Sequence, residues 1–145
     1  MADIREQIFA RMEEVLRSQV PDLTVKRMDT TFDEAEFPGL ALLDGNEQNQ
    51  DAQAFGLAPL RMLLQPVIAI FGITSGQPGP FLSAMRVKIL KALLFDDQLA
   101  GLCAAGRGGR ITYEGCTTES QLGEAIMADM ILNFSLIYIL KPQAL

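Results

Sequence analysis

The sequence predicts an α+β domain, with a mostly antiparallel sheet of about five strands and two main helices packed on one face. Three observations predict it. Apolar residues recur at helical spacing near the N-terminus and again after Pro80; elsewhere they alternate with polar ones; and the segments follow the order helix, strands, helix, strands. With 145 residues, 49% apolar and 21% charged, the chain fits a single domain over 1–145 and is neither disordered nor collagen-like.

Asp3 is a fitting N-cap for a first helix whose Ile4, Ile8, Met12, Val15 and Leu16 share one side and which Pro21 ends. Leu23 to Met28 alternates and reads as a strand, and Pro38 to Leu43 reads as a second, stopped by a turn at Asp44-Gly45. Asn46 to Ala58 is rich in Gln, Asn, Asp and Ala without apolar periodicity, which predicts an exposed loop that a partner would order. Leu60, Met62, Leu64, Ile68 and Ile70 share one parity and predict a long strand, with Pro66 marking an edge or a bulge because it donates nothing to the ladder.

Gly72 to Gly79 reads as a link, and Pro80 suits the first turn of a second helix lined by Leu82, Met85, Ile89 and Leu93. Arg86, Lys88 and Lys91 make it the most basic element. Asp96-Asp97 reads as turn chemistry and Gly101 to Gly109 as a flexible bend, after which Arg110 to Cys116 alternates. Glu124 to Leu140 predicts a long final strand whose even positions, from Ile126 to Leu140, are core. Its odd positions, among them Met127, Asp129, Ile131, Asn133 and Ile137, mix apolar and polar groups, as a face covered by another subunit would.

The composition narrows the chemistry. There is no histidine, which removes the commonest general base and with it the Ser-His-Asp and Cys-His arrangements. Cys103 and Cys116 form no C-x-x-C pair and read as buried free thiols, so neither a zinc site nor a thioredoxin-like motif is expected. The run Gly106-Arg107-Gly108-Gly109-Arg110 precedes a strand and lacks the phosphate-loop pattern. Asp44-Gly45-Asn46-Glu47 lacks the calcium-loop spacing and is read as a hairpin turn. No cofactor and no metal are expected, and nothing in the spacing supports an enzyme.

The formal net charge of −6 argues against a free-standing binder of nucleic acid. The acidity is local: Asp29 to Leu60 holds seven acids and no base, while the other 11 acids face all 12 bases. The first residues carry no basic region followed by an apolar stretch, so a cytoplasmic product without a signal peptide is expected. The most apolar stretch, Ala125 to Leu140, is 16 residues long and carries Asp129 and Asn133, too short and too polar for a bilayer span, so no membrane partner is expected.

The order of segments resembles that of the tail terminator (minor tail, tail completion) proteins of long-tailed bacteriophages. The resemblance rests on an amphipathic first helix, a strand ending in Leu42-Leu43-Asp44-Gly45-Asn46-Glu47, a long strand over Leu60 to Ile73, and a second helix running into Ala92-Leu93-Leu94-Phe95-Asp96-Asp97. Arg110-Ile111-Thr112-Tyr113-Glu114-Gly115 and the long apolar strand complete it, so the match spans nearly the whole chain. It implies a non-enzymatic virion protein, assembled in the host cytoplasm, that forms a homohexameric ring at the head-proximal end of the tail tube. There it would stop tube polymerisation and meet the tail tube protein and a head-completion protein, with DNA passing through the ring without specific binding.

On that resemblance the odd face of the final strand is the subunit interface, with Met127, Asp129, Ile131, Asn133 and Ile137 in contact. Arg107, Arg110, Asn46, Glu47 and Asp51 are candidate contacts to the tube or another partner, and Asp29, Asp33, Glu34 and Glu36 are candidate passage-lining acids. A head-tail connector or a tail-tube subunit of the same machine is the alternative. A further one, from another class, is a small-ligand-binding domain with an apolar cavity between sheet and second helix, lined by some of the seven methionines.

Overall fold

The computed structural model describes residues 3–51, 56–72, 78–104, 109–122 and 126–145, with residues 78, 119–122, 126–127 and 144 described by backbone alone. Helix α1, Ile4–Gln19, starts at Asp3, whose carboxylate accepts the Glu6 N–H at 2.7 Å. Its apolar stripe of Ile8, Phe9, Met12, Val15 and Leu16 is buried. Strands β1, Thr24–Arg27, β2, Gly39–Asn49, and β3, Leu60–Phe71, follow. Then come α2, Pro78–Leu94, and a short α3, Asp97–Leu102, before β4, Thr112–Leu122, and β5, Ile126–Leu140.

The five strands form one sheet in the order β1-β2-β3-β5-β4. All neighbours are antiparallel except β1 and β2, which run parallel and are joined across a 3₁₀ turn, Glu34–Glu36. The main core lies between the inner face of the sheet and the helices. There Leu40, Leu42, Leu64, Ile68, Ile70, Leu132, Phe134 and Leu136 meet the α1 stripe and Leu82, Met85, Ile89 and Leu93 of α2. The predicted α+β architecture, with two main helices on one face, is the architecture observed.

Several local expectations are corrected. Strand β2 does not stop at Asp44-Gly45 but continues to Asn49, so that dipeptide is a bulge inside a strand and not a hairpin turn. Asn46 to Asn49, expected in a loop, pair with β3, while residues 52–55 of that expected loop lie outside the described residues. The second helix begins at Pro78, two positions before Pro80. Asp96 caps α3, a helix that occupies the start of the expected bend, residues 105–108 of which lie outside the described residues. Of the two thiols, both free, Cys103 is half-buried and Cys116 is exposed on β4. Burial pushes the Cys103 thiol up to about 11.

Candidate interaction surface

Two helices cover one face of a sheet and leave the other to be managed by different means. At one end of the outer face the connection after β1 folds back and lays Phe32 and Phe37 on the strands. Phe32 packs 5.7 Å from Phe71 and 6.3 Å from Phe37, and the Lys26 ammonium stands 5.1 Å from the Phe32 ring centre. Glycine is required beneath both rings. A Cβ at Gly39 would lie 2.3 Å from the Phe32 ring, and one at Gly72, where φ is 76°, would lie 2.2 Å from the Phe37 ring. Under this cover Ala41, Ala69, Phe71, Ala128 and Ile131 form a small second core.

Further along, the same face is open, and the backbone explains its shape. At one level of the sheet three strands depart from regular pairing. Strand β2 bulges between Leu43 and Asn46 and β4 bulges between Tyr113 and Gly115, while β3 carries Pro66. Gly45 sits in the first bulge at φ 69°, where a Cβ would come within 1.9 Å of the Gln65 carbonyl oxygen. Gly115 sits in the second at φ 139°.

The result is a trough on the outer face at that level. Its main cavity, of about 470 Å³, is lined by Gly45, Asn46, Leu63, Gln65, Val67, Glu114, Asn133, Phe134 and Ser135. A smaller cavity of about 160 Å³ shares Leu63, Glu114 and Ser135 and reaches Cys103, Arg110, Thr112 and Ile137. Apolar Leu63, Val67 and Ile137 thus alternate with amides and a carboxylate. Glu114 accepts a hydrogen bond from Ser135 Oγ at 2.5 Å, and among the described residues no cation pairs with it.

The residues singled out in the sequence fall in different places. Asn133 and Ile137 line the trough, as does Asn46. Ile131 is 9% exposed within the small second core, so neighbours in its own chain already cover it. Asp129 is half-buried, and the side chain of Met127 lies outside the described residues, as does Arg107. Arg110 is occupied internally: its guanidinium donates to the Leu94 carbonyl at 3.1 Å and to Asp97 at 2.7 Å, tying the start of β4 to the α2–α3 corner.

Glu47 is on the helix side of the sheet. It accepts a hydrogen bond from the hydroxyl of buried Tyr138 and pairs with Arg5 at 3.4 Å. Burial, and then the Glu47 carboxylate, raise the Tyr138 phenol above its usual range. Asp51 accepts the Arg61 backbone N–H at 2.7 Å and its guanidinium at 2.9 Å, and the guanidinium holds its carboxyl below the ordinary value. Asp29 accepts from the Thr31 N–H, which lowers its pKa, and Glu36 is lowered by the Asp33 N–H and then by Lys26, 3.1 Å away. Asp33 and Glu34 are exposed on the same connection.

Sequence reasoning missed the β3 and β4 walls of the trough. One signal was visible: Leu63 and Val67 are apolar residues on the parity opposite to the buried set of β3. Glu114 gives no such signal, because its position depends on the β4 bulge. Among the described residues no three of Cys, Asp and Glu are grouped so as to hold a metal ion, and no helix is long and apolar enough to cross a membrane. No protein-family model matches the sequence, and no curated protein is significantly similar to it.

Proposed function

We propose that this chain is a non-enzymatic ring-forming protein of the phage tail-terminator type, which closes the head-proximal end of a tail tube and offers a surface for head joining. The observation that carries the reading is the open half of the outer sheet face. It presents an apolar-floored trough with polar walls, a composition suited to contact with another protein surface. The resemblance in segment order supplies the kind of machine. The exposed acids Asp33 and Glu34 on the pinned connection suit a passage that must not hold DNA phosphates. Of the seven methionines, Met12, Met62, Met85 and Met130 pack in the main core.

The test is the mass of the purified protein in solution over a wide concentration range, followed by its effect on tail tubes. A closed ring of about six chains, and tubes whose length stops growing on its addition, is the expected result. Stacks that grow without limit would make the chain a tube subunit. A strict monomer that leaves the tube lengths unchanged would defeat the reading.

A further inference from the structure

We propose that the trough on the outer sheet face receives the outward stripe of α2 from a second copy of the chain, with Phe95 as the anchor and Lys91 paired to Glu114. The proposal rests on the ring reading and names the two surfaces that meet. Helix α2 buries Leu82, Met85, Ile89 and Leu93, which turns Val87 and Lys91 to the opposite side. Phe95 continues that side by one turn, since its N–H reaches the Lys91 carbonyl at 3.4 Å. Val87 is 42% exposed and Phe95 75%, so two of the exposed large apolar side chains of the described chain lie on one stripe. A benzyl group exposed to that degree among the described residues points to a partner.

The charges agree. Among the described residues no carboxylate pairs with Lys91, whereas the neighbouring Lys88 is held by Asp22 at 2.6 Å. Among the described residues, Glu114 on the trough wall is met by the Ser135 hydroxyl and by no cation. Lys91 and Phe95 stand one helical turn apart, roughly 6 Å along the axis. In the trough, apolar Leu63 and anionic Glu114 line the same cavity of about 470 Å³, a volume in the usual range of binding pockets. One contact therefore places ring on apolar floor and cation beside carboxylate.

The direction of the contact follows from the fold. The helices cover the inner face of the sheet and the trough opens on the outer one, so copies joined in this way stand back to front. Such a contact is heterologous: each copy uses one surface on each neighbour, and the assembly either closes into a ring or continues as a filament.

The experiment compares Lys91→Glu, Glu114→Lys, the double variant and Phe95→Ala with the wild type by native mass spectrometry and light scattering, with melting temperature as the check on folding. Each single charge reversal is expected to raise the concentration needed for assembly by about tenfold or more, and the double variant to restore it. Phe95→Ala is expected to weaken assembly at an unchanged melting temperature. A 1:1 mixture of the two charge variants is expected to assemble into rings of alternating copies, because every junction then holds one cation and one anion. Single variants that assemble like the wild type, or a double variant that recovers nothing, would overturn this pairing and leave the ring reading standing. A wild type that is monomeric at every concentration would overturn both.

Discussion

Arg11 and Asp96 are 85 positions apart, yet they form the tightest charged contact between α1 and the α2–α3 corner. The guanidinium donates to both carboxylate oxygens, at 2.9 and 2.7 Å, while one of those oxygens also accepts the Leu99 N–H at 2.8 Å. The Arg11 guanidinium and, less strongly, the Leu99 N–H hold the Asp96 carboxyl below its ordinary value of 3.8. A carboxyl lowered on folding contributes stability that is complete above the unfolded pKa and is lost as pH falls through the folded one. Asp96→Asn keeps a good helix cap and removes the charge, so it is expected to lower stability by about 1–3 kcal/mol at neutral pH. The difference from the wild type should shrink below about pH 4, which melting curves at pH 7 and pH 3 would reveal. Equal differences at both pH values would refute the assignment. In the sequence Asp96 reads only as turn chemistry, because a cap is local but the arginine it receives is set by the packing of α1 on the corner.

At the level of elements, the outer face is shaped by departures from regularity. Gly45, Pro66 and the Tyr113–Gly115 bulge lie at one level of the sheet, and the trough sits there. Gly45→Ala would put a methyl group within 1.9 Å of the Gln65 carbonyl and at a φ of 69°. We expect it to cost about 2–4 kcal/mol in chemical denaturation. It should also raise hydrogen exchange in β2 beyond the bulge more than in α1; a neutral substitution would show that the bulge does not need glycine. The long strands β3 and β5 and the buried faces of α1 and α2 were legible in the sequence, since alternation and helical spacing record which side meets the core. The second half of β2 was not. Asn46, Glu47, Gln48 and Asn49 have poor strand propensity, and they are extended because β3 pairs with them while Glu47 is tied to Tyr138 and Arg5. Pro66 was legible as an edge or a bulge; β3 has neighbours on both sides and so is no edge, and the bulge beside Pro66 lies in β2, between Leu43 and Asn46.

At the scale of the whole molecule, the acidic segment changes character once the chain is folded. Its carboxylates are met by cations from outside it: Lys26 takes Glu36, Arg5 and Arg27 take Asp44, Arg5 also takes Glu47, and Arg61 takes Asp51. Asp33 and Glu34 stay exposed, with Asp29 3.8 Å from Lys26, on a connection that Phe32 and Phe37 pin to the sheet. On the ring reading these three residues are the ones that can keep a passage from holding DNA, since fixed anions repel phosphates within a Debye length of about 8–10 Å. Replacing all three with lysine changes the local charge without touching the core. Wild-type rings are then expected not to retain duplex DNA, whereas rings of the triple variant should retain it at about 50 mM salt and release it by about 200 mM, as a phosphate contact does. The measurement is DNA retention by assembled rings in a mobility assay, with the mass of the ring verified for both proteins. Retention by neither protein would place the three residues away from the opening, and the acidic connection would then be an outer surface of the assembly.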